Sequence, residues 1–187
     1  MTTCQNRDKP LLALSNPILI IAFLLTACGL HENPRRGSII DTWQNSSDSV
    51  EVRITVYREV GTYLNGAYYV FESAPVESEH WEEFMEFRHD DDVPIPKNQV
   101  RFVDSRTAYV FIGWMYAITT NGGEDWSVWD AKINLPDWQC CNYSLIRDVE
   151  LSSSGTGTMI LNPIPYRRGE VAKLRTTDYG FTWIVTE

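Results

Sequence analysis

Two short stretches of this chain share one outline, and the repeat constrains the fold more than any other sequence feature. One stretch, ITTNGGEDW, covers residues 118–126, and the other, RTTDYGFTW, covers residues 175–183. Fifty-seven residues separate corresponding positions. Four pairs fall in register: Thr119 with Thr176, Asn121 with Asp178, Gly123 with Gly180, and Trp126 with Trp183. A period of about 50 residues is typical of stacked structural units such as propeller blades.

The residue types in the repeat favour a tight turn over a catalytic site. An Asp or Asn side chain can accept a hydrogen bond from nearby backbone, Gly supplies positive φ, and Trp buries a large apolar area. The second stretch matches the Asp-box, Ser/Thr-x-Asp-x-Gly-x-Thr-Trp, at every position, including Thr182. The first stretch has Asn121 for the Asp and Asp125 for the Thr. We therefore predict that the motif has a structural role in packing sheets.

Strand-like patterns surround the repeat and predict an all-β fold. Apolar and polar residues alternate from Val50, and an Asn-Gly turn follows, so residues 50–60 and 67–72 form a predicted hairpin. Two sets of four strands follow, at 99–104, 108–113, 115–119 and 126–130, then at 145–151, 157–162, 170–175 and 182–186. We predict a small stack of two to three antiparallel four-stranded sheets that resemble propeller blades. A β-sandwich is the alternative.

The N-terminal segment is predicted to be a lipoprotein signal. A charged region precedes an apolar run at 11–25 that is too short for a membrane span. The run ends in LTAC, which resembles the bacterial lipobox and predicts lipidation of Cys28; a plain signal peptide is the alternative. Gly29 implies an outer-membrane address facing the periplasm. The predicted organisation is a signal peptide at 1–27, a lipidated N-terminus and spacer at 28–49, and one all-β domain at 50–187.

The predicted mature chain is acidic. Removal of residues 1–27 takes two bases and one acid from totals of 16 and 25, which leaves a formal net charge of about −10. This charge argues against nucleic-acid binding and against adhesion to anionic lipid. It suits a basic protein partner, although solubility alone is an equally common reason for acidity.

The cysteines leave two alternatives open. After Cys28, only the neighbours Cys140 and Cys141 remain in the mature chain. An oxidising compartment favours their pairing, but adjacent Cα atoms lie only about 3.8 Å apart, below the usual disulfide range. A strained vicinal disulfide therefore competes with two buried free thiols. Because no third cysteine or suitably spaced histidine joins them, we predict no metal site and no cofactor.

Patterns that could carry catalysis are weak. The stretch SSSGTG at 152–157 favours a hairpin turn over a nucleophile elbow, because no histidine lies near it in sequence. Asp90–Asp92 lacks the alternate spacing and the Gly of a calcium loop. Sialidase chemistry would need an arginine cluster on a closed ring of blades. The sequence therefore predicts a binding protein that is not an enzyme.

Residues 77–92 are the most acidic segment, and we predict a helical turn or an irregular excursion there. Eight carboxylates surround three aromatic side chains. The segment is either a solvated loop whose aromatics fill the core, or an arm whose aromatics enter a partner's pocket while its acids attract a basic surface. The candidate partner-binding residues are Trp81, Glu82, Glu83, Phe84, Glu86, Asp90, Asp91 and Asp92.

Taken together, these motifs resemble a known family. Lipobox, N-terminal hairpin, the HWEEF segment at 80–84 and two Asp-box hairpins are similar to the Tli-like immunity lipoproteins, which act against type VI secretion lipase effectors. The resemblance covers most of the chain and implies that the protein binds and neutralises a phospholipase in the periplasm. A non-enzymatic envelope scaffold of blade-like fold is the main alternative, and a degenerate glycan-binding relative is a third.

Overall fold

The computed structural model describes residues 33–61, 66–90, 94–95, 97–135, 143–163 and 171–186. Residues Pro34–Glu187 form one compact unit. Five residues singled out by the sequence lie outside the described residues: Cys28, Asp91, Asp92, Cys140 and Cys141. Within the described part of the chain, no helix is long and apolar enough to cross a membrane.

The described strands form three open antiparallel sheets, each with four strands in chain order. Sheet A contains β1 (Arg36–Ser46), β2 (Val50–Glu59), β3 (Ala67–Pro75) and β4 (Glu82–His89). Sheet B contains β5 (Val100–Phe102), β6 (Ala108–Ile112), β7 (Met115–Thr119) and β8 (Ser127–Asp130). Sheet C contains β9 (Tyr143–Leu151), β10 (Gly157–Pro163), β11 (Ala172–Thr176) and β12 (Ile184–Val185). A 3-10 turn at Lys97–Gln99 and a one-turn helix, α1 (Ala131–Asn134), complete the described elements. The predicted all-β class with blade-like sheets is confirmed.

Side-chain alternation explains how the sheets stack. In β2, Val50, Val52, Ile54 and Val56 are buried in a core shared by sheets A and B. A second core is shared by sheets B and C. All five residues of β6 are buried, because Val110 faces the first core while Tyr109 and Phe111 face the second. Sheet B is therefore the middle layer, which explains its continuous apolar run.

The prediction of a spacer over 28–49 was wrong for residues 36–46, which form strand β1 paired with β2. This strand lies at the edge of sheet A, and its partly buried apolar side chains that pack on the core are Ile40 and Trp43. With so few covered positions, its sequence shows little of the alternation that marks a strand.

The prediction of a helical turn or irregular excursion within 77–92 was also wrong where β4 lies. The register between β3 and β4 shifts at Phe71/Glu72, which is a β-bulge. Because of the bulge, the consecutive residues Phe84 and Met85 both pack on the first core, together with Phe87. Apolar residues at 81, 84 and 85 then imitate helical spacing although the backbone is extended.

Candidate functional site

The second Asp-box closes the hairpin between β11 and β12 through a ring of short hydrogen bonds. The Thr176 hydroxyl donates to Asp178 Oδ1 at 2.7 Å and accepts from the Gly180 N–H at 2.9 Å. The Asp178 carboxylate also accepts from the Thr182 N–H at 3.0 Å and from its hydroxyl at 2.6 Å. Gly180 has φ 83°, a left-handed value that favours glycine. The side-chain oxygens of Thr176, Asp178 and Thr182 are thus all hydrogen-bonded within the turn.

The first Asp-box forms the same turn, but the side chains at the third and seventh positions of the motif exchange the roles of donor and acceptor. The Thr119 hydroxyl donates to Asn121 Oδ1 at 2.8 Å and accepts from the Gly123 N–H at 3.0 Å. Asn121 Oδ1 accepts from the Asp125 N–H at 3.1 Å, while Asn121 Nδ2 donates to Asp125 Oδ2 at 3.0 Å. The carboxylate has therefore moved from the third position of the motif to the seventh, and the hydrogen bond between the two side chains is retained.

The tryptophan of each Asp-box packs against the preceding sheet. Trp126 of sheet B stacks on Phe84 of sheet A, with ring centroids 3.9 Å apart and planes 5° apart, and its Nε1 donates to Ser73 Oγ at 2.8 Å. Trp183 of sheet C packs edge-on against Tyr116 of sheet B at 5.5 Å. Both motifs therefore join neighbouring sheets through their tryptophans, while their Thr, Asp and Asn side chains form hydrogen bonds within the turns.

The candidate partner-binding residues are divided between two faces of sheet A. Phe84 faces the first core. Glu83 and Glu86 lie on the opposite face, called here the outer face of sheet A, as the partners of Glu72 and Val70. Trp81 also lies on the outer face, where the guanidinium carbon of Arg53 is 4.3 Å from its ring centroid. Phe84 is thus separated from Glu83 and Glu86, whereas Glu82 pairs with the inward-facing Ser73.

Arginines that the sequence analysis did not single out organise this outer face. Arg36 makes a two-point contact with Glu83 at 2.7 and 2.9 Å and donates to Glu86 at 2.7 Å. These hydrogen bonds, that to Glu83 foremost, raise the pKa of Arg36 although burial lowers it. Arg53 holds Glu72 in the same two-point manner at 2.7 and 2.8 Å. The acids of the predicted arm are therefore partly neutralised by long-range ion pairs.

A third arginine completes the pattern at the other end of β4. Arg88 contacts Glu59 at 2.7 and 2.9 Å and Asp90 at 2.6 Å. Five glutamates and three arginines thus occupy the outer face, so it keeps an acidic excess. The glutamates are Glu51, Glu59, Glu72, Glu83 and Glu86. Glu82 lies on the same strand with a side chain that is 70% exposed.

The hydroxyl groups of the other candidate stretch, residues 152–157, form hydrogen bonds with one another. Residues 152–157 join β9 to β10, where the Ser152 hydroxyl lies 2.8 Å from those of Ser154 and Thr156. Gly155 has φ 81°. This stretch is therefore a hairpin turn whose Ser and Thr hydroxyls contact one another. Within the described residues, no group of three His, Cys, Asp or Glu side chains is arranged to hold a metal ion.

Comparison of the chain with protein-family models, curated proteins and solved structures gives no match. Its function is therefore inferred from its own residues.

Proposed function

We propose that this protein binds and neutralises a secreted phospholipase effector at the outer membrane, where a lipid on Cys28 holds it facing the periplasm. The observation that carries the proposal is the outer face of sheet A, where Trp81 lies among an excess of carboxylates at the end of the sheet stack. Such a face suits a basic protein surface, since a central aromatic residue supplies affinity while surrounding acids speed association.

The Asp-boxes support a binding role over an enzymatic one. Their carboxylate, hydroxyl and amide groups are hydrogen-bonded within the turns, and their tryptophans pack between sheets. Among the described residues, the outward faces of sheets A and C are surfaces that the Asp-boxes leave open to a partner. The lipid anchor would place the inhibitor on the same membrane that a phospholipase attacks, which raises its effective concentration there.

The test begins with the gene beside this one, which we expect to encode a phospholipase, and measures hydrolysis of phosphatidylethanolamine vesicles by that enzyme with and without the protein. We expect stoichiometric inhibition, and Trp81→Ala should speed dissociation of the complex. Neutralising Glu82, Glu83 and Glu86 together to Gln should slow association, more at low salt than at high salt. The control is the double variant of Asp41 and Asp48 to Asn, which are exposed acids away from Glu82, Glu83 and Glu86.

Two results would contradict the proposal. The first is full phospholipase activity in the presence of excess protein. The second is recovery, by pull-down from envelope extract, of outer-membrane assembly proteins and no lipase, which would support the scaffold function instead.

Lipidation has its own test. Cells labelled with a palmitate analogue should carry the label on the wild-type protein and not on Cys28→Ser. Label on the variant, or its absence from the wild type, would contradict the lipoprotein assignment without bearing on phospholipase binding by the all-β unit.

A further inference from the structure

We propose that the two outward faces of the sheet stack recognise each other, so that the outer face of sheet A of one copy packs on the outer face of sheet C of a second copy. The inference goes beyond phospholipase binding. It rests on a tryptophan that occurs at one position in all three sheets. In sheets B and C this tryptophan packs on the preceding sheet, and in sheet A it lies on the outer face.

The tryptophan lies directly before the fourth strand of each sheet. Trp126 precedes β8 and packs on sheet A, and Trp183 precedes β12 and packs on sheet B. Trp81 precedes β4 in the same way. It lies on the outer face of sheet A, beside Arg53. Since each tryptophan faces the sheet before its own, the layer that Trp81 would contact is a sheet supplied by another molecule.

Sheet C has the matching position. Tyr116, which receives Trp183, lies three residues before the Thr of its Asp-box. Lys173 lies three residues before the Thr of the second box, and it is exposed on the outward side of β11. A second copy's Trp81 placed there would lie over a lysine, a pairing that the quadrupole of the indole ring favours.

The charges of the two faces are complementary. The outer face of sheet A has five glutamates and three arginines. The outward side of sheet C has Lys173 and Arg175 on β11 and Asp148 and Glu150 on β9, and Asp148 is ion-paired with Arg101 of sheet B at 2.7 Å. Among the described residues, no ion pair holds Arg175. One face is therefore acidic in excess, and the other, with Asp148 paired to Arg101, is basic in excess.

Shape and apolar surface agree with this pairing. A groove of about 580 Å³ runs over the outward side of sheet C, lined in part by Glu150, Thr158 and Arg175. Each face also has an exposed isoleucine, Ile39 at 59% on sheet A and Ile184 at 69% on sheet C. Burial of these two side chains would add apolar contact to the proposed interface.

The contact would be heterologous, because the two faces differ, and such contacts either close into a ring or continue as a fibre. Two copies supply six sheets, and closed propellers have typically four to eight blades. We therefore expect association to stop at a closed dimer. Since this dimer covers Trp81, the phospholipase should compete with it for the outer face of sheet A.

The experiment is sedimentation velocity over a concentration series, with the chain from residue 28 onward and Cys28→Ser. The wild-type surface should give a dimer. Trp81→Ala on sheet A and Arg175→Glu on sheet C should each weaken the dimer on the order of tenfold or more, as for a residue central to an interface. Lys97→Glu makes the same charge change away from both faces and should leave the dimer intact.

An equimolar mixture of the two variants tests whether the dimer is closed by two contacts. In the mixed closed dimer one contact is unaltered and the other carries both changes, so its strength should lie between those of the two variant dimers. Recovery of a full wild-type dimer would show a single open contact and overturn the closed dimer. Thermal melts check folding, and Thr158→Arg provides a second block on sheet C if Arg175→Glu does not fold.

Three results would overturn the proposal. A monomer at all concentrations excludes self-association. Loss of the dimer in only one variant indicates contact between like faces. A monomer in which Arg175→Glu weakens phospholipase binding assigns the sheet C face to the effector. The sedimentation result requires no phospholipase, so failure here leaves the proposed inhibition intact.

Discussion

The two Asp-box hairpins have the same turn geometry, although different side chains form the hydrogen bond across each turn. In the second, a carboxylate at Asp178 accepts from the hydroxyl of Thr182 at 2.6 Å. In the first, an amide at Asn121 donates to the carboxylate of Asp125 at 3.0 Å. The threonine before each pair has the same two roles in both turns. What the turn requires is one donor facing one acceptor across four residues, and which residue carries the charge is secondary.

The tryptophans differ more than the turns do. Trp126 is half-buried, and its Nε1 donates to Ser73. Trp183 is 8% exposed, and among the described residues its buried Nε1 has no hydrogen-bond partner. Packing against the preceding sheet is therefore the shared role, while the indole hydrogen bond belongs to one junction only.

Removing the indole ring of an Asp-box tryptophan should have the largest effect on the free energy of unfolding. Trp183→Ala should lower the free energy of unfolding by roughly 3–5 kcal/mol, because a large side chain leaves the core between sheets B and C. Trp126→Ala should cost less, since that ring is half-buried. Urea unfolding monitored by circular dichroism measures both, and equal losses would contradict the difference in burial.

Removing the side-chain hydrogen bond between Asn121 and Asp125 should have the next largest effect on the free energy of unfolding. Asn121→Asp places a second carboxylate against Asp125 and removes the donor, which should cost about 1–2 kcal/mol. Adding Asp125→Thr recreates the pair of the second hairpin and should recover most of the loss. A double-mutant cycle in urea measures this coupling. Additive losses would show that the two hairpins are not interchangeable.

Replacing each tryptophan by phenylalanine separates packing from hydrogen bonding. Trp126→Phe leaves the Ser73 hydroxyl without its donor and should cost about 1 kcal/mol beyond the change in packing. Trp183→Phe removes an N–H that has no partner, so only the packing change remains there. The comparison uses the same unfolding experiment, and a larger hydrogen-bond effect at Trp183 would contradict the assigned contacts.

The sequence predicted sheets B and C well because short alternating strands flank an Asp-box with known position in a hairpin. In sheet A it predicted the hairpin of β2 and β3 correctly but missed β1 and β4, for two physical reasons. Strand β1 is an edge strand with little covered surface, and β4 contains a bulge that places Phe84 and Met85 on one side. Neither an edge nor a bulge is visible in a pattern of period two.

The candidate site was predictable only in part. Acids and aromatics at 77–92 are evident in the sequence, but their arginine partners are not. Arg36 is 47 residues from Glu83, and Arg88 is 29 residues from Glu59. Such pairs depend on the register of four strands, which alternation alone does not determine. The long-range register therefore decides which acids remain available to a partner.

The smallest expected effect is a difference in pH dependence between the hairpins. Burial raises the pKa of Asp178, but hydrogen bonds from Thr182 and Thr176 outweigh it and lower that pKa below the ordinary 3.8. A lowered pKa in the folded state contributes stability above the unfolded value, and that stability is lost as the pH falls through the folded value. In the first hairpin the carboxylate belongs to Asp125, and Asn121 at the place of Asp178 is its hydrogen-bond donor.

The measurement is the unfolding free energy of wild type minus that of Asp178→Asn, from neutral pH downward. Subtraction removes other acids with lowered pKa, such as Asp104, which accepts from the backbone N–H groups of Arg106 and Thr107. The difference should be constant near neutrality and shrink below about pH 4. The same subtraction for Asn121→Ala, which removes the donor to the Asp125 carboxylate, measures the pH dependence of the first hairpin for comparison. A difference for Asp178 that is flat to low pH would show that its carboxylate is not held by the turn.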